Sequence, residues 1–108
     1  MPKIHDILET EQYYSNTINN KTVKFFCPSY KTIARVESLH YKEIETLDWI
    51  DSFKEIDNKK IVFWDIGSNI GIFSIYAAEK FKNIEVVSIE PSTSNTRVLS
   101  RNISINNL

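Results

Sequence analysis

The sequence predicts an α/β fold, and three observations in its second half carry that prediction. Two short apolar runs, Ile61 to Ile66 and Glu85 to Glu90, read as strands. A segment of helical character, Ile70 to Phe81, lies between them, and a second helical segment follows Glu90. Strand, helix, strand, helix is the pattern of a βαβ unit, whose strands are parallel and whose crossover is right-handed.

Taken in order from the N-terminus, residues 3 to 15 predict a short amphipathic helix, because Ile4, Ile7 and Leu8 fall at helical spacing. "NTINNK", Asn16 to Lys21, reads as a loop. In "TVKFFC" the residues Val23, Phe25 and Cys27 alternate with Thr22, Lys24 and Phe26, as in a strand with one buried face. Pro28-Ser29 interrupts the run, and "TIARVESL" after it is strand-like, so a hairpin is expected. From Lys42 to Ile56 the apolar positions Leu47, Ile50, Phe53 and Ile56 recur every third residue, with Glu43, Glu45, Asp48 and Asp51 off that stripe. This is a helix with a solvated acidic face. "DNKK", Asp57 to Lys60, reads as a turn, and there the composition changes from charge-rich to apolar. The chain therefore divides into residues 1–60, a helix, hairpin and lead-in helix, and residues 61–108, the start of the α/β unit.

Within the second part, Ile61 to Ile66 is apolar except for Asp65, which suits a parallel strand buried on both faces. Pro91-Ser92-Thr93 offers a hydroxyl cap to the last helix. Trp49 and Trp64 are expected to be core or helix-packing residues rather than stacking platforms.

Composition excludes several classes of function. Among 108 residues, 13 are basic and 14 acidic, for a net charge of −1. Such a balance provides no electrostatic footprint for nucleic acid or an anionic membrane surface. A single cysteine, Cys27, cannot form an internal disulfide and fits a reducing, cytoplasmic setting. The opening "MPKIHDILETEQ" lacks the apolar core of a signal peptide, and Asp65 and Asn69 argue against a membrane span over Ile61 to Ala78. His5 and His40 have no Cys or carboxylate at ligand spacing, so no metal site is expected.

In open α/β sheets the ligand crevice lies at the carboxyl ends of the strands, where Asp65 to Gly71 follow the first strand. Gly67 and Gly71 let backbone approach a ligand closely. Their Gly-x-x-x-Gly spacing departs from the dinucleotide fingerprint Gly-x-Gly-x-x-Gly. Asp65, two residues before the first glycine, would repel a pyrophosphate and would attract a cation. S-adenosylmethionine, whose amino and sulfonium groups are positive and which carries no phosphate, suits this arrangement. Glu90 ends the next strand, where a carboxylate can accept hydrogen bonds from both ribose hydroxyls.

The arrangement Asp65-x-Gly67-x-Asn69-x-Gly71 followed by Glu90-Pro91 resembles the first two cofactor motifs of class I methyltransferases. More narrowly, "FWDIGSNIGIFSIYAA", "SIEPS", "LSRNISINNL" and the earlier "RVESLHYKEIETLDWID" resemble the FkbM family of S-adenosylmethionine-dependent methyltransferases. One departure is Ile44, where that family often has proline. The resemblance implies a Rossmann-like fold of which only the first two core strands and helices are present. It also implies that Asp65 and Gly67 hold the methionine end, that Gly71 lets the helix approach, that Glu90 binds ribose and that Asn69 contributes a turn hydrogen bond or touches the cofactor. Asn102 and Asn106 match the family pattern and are expected to make local hydrogen bonds near a helix end. The implied reaction is O-methylation of a small-molecule or sugar-containing acceptor, with the chain forming the N-terminal part of a longer enzyme. The alternatives are a nucleotide-dependent (NAD) oxidoreductase and a non-catalytic α/β interaction module.

Overall fold

The computed structural model describes residues 12–54 and 59–108. Strands β1 (Tyr13–Ile18) and β2 (Lys21–Phe26) are followed by helices α1 (Tyr30–Glu37) and α2 (Ile44–Asp51). The order then runs β3 (Ile61–Ile66), α3 (Ile72–Lys80), β4 (Ile84–Ile89) and α4 (Thr93–Ile105). Among the described residues, β1 and β2 form an antiparallel pair and β3 and β4 a parallel pair. The α/β class and the parallel β3–α3–β4 unit expected from the sequence are thus present, with Ile61 opposite Ile84 and Ile66 opposite Ile89.

The first half differs from expectation. The strand over "TVKFFC" pairs with Tyr13–Ile18 and not with "TIARVESL". Residues 13–15, expected in a helix, are extended, while residues 3–11 of that expected helix lie outside the described residues. "NTINNK" is not a loop but the heart of the hairpin: Ile18 faces Lys21, and the two residues between, Asn19 and Asn20, both have positive φ (52° and 62°). A two-residue turn with both centres left-handed matches the twist of the flanking strands, and asparagine tolerates that conformation. "TIARVESL" forms α1 because Ser29 caps it. The Ser29 hydroxyl accepts from the Thr32 amide at 3.3 Å, and the Thr32 hydroxyl accepts from the Ser29 amide at 3.1 Å. This reciprocal box settles the segment as a helix, with Thr32 and Val36 buried one turn apart.

Helix α2 is shorter than the apolar periodicity suggested. It buries Leu47 and Ile50 and ends at Asp51, and Phe53 leaves the helix to meet Phe63 (5.5 Å between centroids) and Phe81 (6.1 Å). The expected positions 55–58 lie outside the described residues. The acidic residues of α2 are exposed as expected, yet Asp51 accepts a hydrogen bond from the Tyr76 hydroxyl at 2.7 Å.

Strand β3 is buried on one face only, in contrast to the two faces expected. Phe63 and Asp65 point into the core, whereas Val62, Trp64 and Ile66 are exposed, Trp64 by 62%. Helices α2 and α3 cover the first face, and no described element covers the second. Trp49 is also largely exposed (56%) but packs edge-to-face with Phe53 and Phe63, the helix-packing role expected of it, whereas Trp64 is not the core or packing residue anticipated.

One hydrophobic core runs through both halves of the chain and includes Phe25, Val36 and Ile50 with Ile70, Ile75 and Val98. Helix α4 ties the halves together. The buried Asn102 side chain accepts from the Phe26 amide at 2.6 Å and donates to the Ile70 carbonyl at 2.8 Å. Asn106 accepts from the Lys24 amide (3.1 Å) and donates to the Lys24 carbonyl (2.7 Å). The expectation of local hydrogen bonds for these two asparagines is therefore only partly met: Asn106 does bond the Asn102 carbonyl, but both also serve the edge of β2 as a partner strand would. Arg97 and Arg101 lie over the Phe26 ring, 5.4 and 4.8 Å from its centroid.

Candidate functional site

The turn after β3 brings Gly67, Ser68 and Asn69 against the end of β4. The Gly67 and Ser68 amides both donate to the Ile89 carbonyl, at 2.7 and 3.0 Å, and the Ser68 hydroxyl donates to it at 3.4 Å, so the turn is anchored to the neighbouring strand. Gly67 has φ +75°, and a Cβ there would meet no atom within 4 Å. A side chain is disfavoured at Gly67 by backbone conformation, although the space above it is open. Gly71, at φ +95°, is constrained in both respects, since a Cβ would stand 2.5 Å from Leu99 Cδ1. Its role is close approach of α3 to α4.

Asn69 occupies a third left-handed position (φ 57°), which asparagine adopts more readily than most residues. Its amide donates to Glu90 Oε1 at 2.8 Å, and the Ser92 amide donates to Glu90 Oε2 at 2.9 Å. Glu90 thus sits at the carboxyl ends of both parallel strands with each oxygen holding one backbone N–H. Those bonds, Ser92 first and then Asn69, hold the Glu90 carboxyl below its usual range, with burial opposing them. The Asn95 side chain and the charge of Arg35 add to the lowering. Ser92 caps α4 as the sequence suggested, accepting from the Asn95 amide.

Asp65 is buried, and its carboxylate accepts a hydrogen bond from the Ser74 hydroxyl at 2.6 Å. Ser74 in turn contacts the Ser88 hydroxyl at 2.7 Å, so α3 and β4 both contribute to holding the acid. The sequence reading did not single out Ser74 or Ser88. A serine in the first turn of an otherwise apolar helix, third residue of α3, is the available signal.

A further residue missed by the sequence reading is Arg35 of α1. It was hidden by the expectation that "TIARVESL" is a strand, which gave no reason for position 35 to face the glycine turn. Its Nη1 donates to Asn69 Oδ1 at 2.5 Å. A cleft of about 250 Å³ opens here, walled by Arg35, Ser38 and Lys42 on one side and by Gly67, Ser68 and Asn69 on the other. Leu39, Ile70, Ile72 and Phe73 are its apolar lining, and Glu43 also lines it. Of the five residues expected to bind cofactor, Gly67 and Asn69 line the cleft, while Asp65, Gly71 and Glu90 hold the turn from beneath and beside it. Among the described residues no group of three or more His, Cys, Asp or Glu could hold a metal ion, and no helix is long and apolar enough to cross a membrane.

Comparison with known proteins gives one informative similarity. Over 79 residues the chain is 38% identical to methyltransferase sdnD of Sordaria araneosa, a match that covers 72% of this chain and 30% of that protein. The chain thus spans under a third of the length of this relative. No protein-family model matches the chain, and no solved structure matches it.

Proposed function

We propose that this chain forms the cofactor-binding part of an S-adenosylmethionine-dependent methyltransferase of the FkbM type, acting by O-methylation on a small-molecule or sugar-containing acceptor in a reducing, cytoplasmic setting. Similarity to a methyltransferase supports the reaction class. The observation that carries the cofactor reading is the placement of Glu90, which meets the Asn69 amide across the ends of two parallel strands. That is where an open α/β sheet binds its ligand.

The residues present fit such a donor. Each Glu90 oxygen accepts one backbone N–H and keeps lone-pair capacity for a ribose hydroxyl. Gly67 offers open backbone beside a cleft that holds charged and polar side chains. Asp65 lies buried beneath the turn, its carboxylate held by the Ser74 hydroxyl and outside the lining of the cleft. The donor, when bound, supplies a methyl group activated by its sulfonium. The protein's share is to bind and orient it, and orientation alone accounts for a large part of the rate of an in-line displacement. Asn69 stands where the dinucleotide fingerprint has its middle glycine, which speaks against the oxidoreductase alternative.

Calorimetric titration with S-adenosylhomocysteine tests the reading. Saturable binding is expected, weakened roughly tenfold to a hundredfold by Glu90→Ala, the size of a lost charged hydrogen-bond pair. Tight binding of NADH with none of S-adenosylhomocysteine would overturn it in favour of an oxidoreductase, and binding of neither would leave an interaction module.

A further inference from the structure

We propose that Arg35 binds the α-carboxylate at the amino-acid end of the methyl donor. The inference rests on the donor reading above and deepens it: the resemblance implies Asp65 and Gly67 at the methionine end, and Arg35 adds a partner for the carboxylate of that end. S-adenosylmethionine ends in an α-amino acid, so a site that takes it must meet one carboxylate as well as the positive groups. Arg35 and Lys42 are the cationic side chains lining the cleft beside the glycine turn, with Glu43 as its single acidic lining residue. The walls therefore favour an anion.

Of the two cations, Arg35 is the one held in place. Its Nη1 bond to Asn69 Oδ1 fixes the guanidinium against the turn, whereas Lys42 is exposed. A guanidinium has five N–H donors in a rigid fork, and the bond to Asn69 uses one, so a carboxylate can still be taken in bidentate fashion. Asn69 then connects the two ends of the ligand site. Its backbone N–H fixes Glu90, on the ribose side, while its side chain fixes Arg35, on the amino-acid side. Asn69 makes both bonds from a left-handed backbone conformation (φ 57°).

Two probes that differ by one group test this: S-adenosylhomocysteine, and S-adenosyl-3-thiopropylamine, which keeps the amine and lacks the carboxylate. By calorimetry the wild-type protein should prefer the former by roughly tenfold to a hundredfold, as a charge-assisted bidentate contact implies. Arg35→Gln should erase most of that preference while changing the thiopropylamine affinity less than about threefold, and Arg35→Lys should restore part of it. Equal weakening of both probes by Arg35→Gln would show that Arg35 only braces the turn and would overturn the proposal. So would a wild-type protein with no preference, a result that needs no variant to fold. Failure of both probes to bind the wild type would instead refute the donor reading, and this proposal with it.

Discussion

The Asn102 carboxamide donates to the carbonyl of Ile70, inside the glycine turn, at 2.8 Å, from a side chain that is fully buried. Its oxygen simultaneously accepts from the Phe26 amide. One side chain on the last helix thereby joins the first hairpin to the loop that forms the candidate site. Replacing Asn102 with alanine leaves a buried N–H and a buried carbonyl without partners, at roughly 1–3 kcal/mol each. Chemical denaturation of Asn102→Ala should show a loss of about 2–5 kcal/mol. A loss under about 1 kcal/mol would mean that water replaces the side chain.

The two glycines of the turn should respond differently to alanine. At Gly67 only the left-handed backbone resists, so Gly67→Ala should cost about 1–2 kcal/mol in stability and act mainly by filling the space beside the cleft. At Gly71 the added Cβ also meets Leu99 Cδ1, so the cost should be larger. Thermal melts of Gly71→Ala with and without Leu99→Ala check the cause. Relative to Leu99→Ala alone, the glycine substitution should then cost less, because the clash is gone and only the backbone term remains.

These residues show where the sequence was legible. Strand β3, helix α3, strand β4 and the Ser92 cap followed from local pattern, because a βαβ unit is built from neighbours in the chain. Gly67, Asn69 and Glu90 could be placed together from their position at strand ends. What was not legible came from distant partners. Arg35 reaches Asn69 across 34 residues, and Asn102 reaches Phe26 across 76. No periodicity encodes such a contact. In the N-terminal half, two local signals were present and were outweighed by alternation: the Asn19-Asn20 pair, which sets a two-residue turn, and the Ser29/Thr32 box, which starts α1. The open face of β3 was illegible for another reason: an apolar run states what a strand can bury, not what is there to cover it.

The sidedness of β3 gives a direct mutational contrast. Phe63→Ala removes a ring packed against Trp49 and Phe53 and should destabilise by about 3–5 kcal/mol. Trp64→Gln, one residue on, should change stability by about 0.5 kcal/mol or less while reducing the binding of an apolar dye to the exposed face. Comparable losses for the two would show that the second face is covered in solution.

Glu90 should govern part of the acid sensitivity. Its carboxyl is held below the usual range in the folded state by the Ser92 and Asn69 amides. The folded protein therefore favours the ionised form. Its stabilising effect is complete above the ordinary carboxylate range and is lost as pH falls through the lowered folded value. The stability difference between wild type and Glu90→Gln should thus be present near pH ~7 and shrink toward pH ~3. A difference independent of pH would place the effect in the backbone hydrogen bonds rather than the charge.

Cys27 makes the opposite case at alkaline pH. Burial pushes its thiol up to about 11, with the Thr32 hydroxyl opposing and the charge of Glu37 adding slightly. Alkylation by iodoacetamide near pH ~8 should therefore be slow in the folded protein and fast in denaturant, since the thiolate is the reacting form. The neutral thiol stabilises the fold fully below the ordinary value of 9.0, and that contribution is lost as pH rises through about 11. Cys27→Ala should flatten that alkaline slope in stability curves.

The amide ladder between α4 and β2 also orders events during synthesis on the ribosome. Lys24 and Phe26 are among the earlier residues to emerge, yet their edge bonds are closed by side chains 82 and 76 positions later. Until Asn102 and Asn106 have left the exit tunnel, the nascent hairpin carries an open edge able to pair with a neighbouring chain. Slow translation between Phe26 and Asn102 therefore lengthens the interval in which misassembly competes with docking.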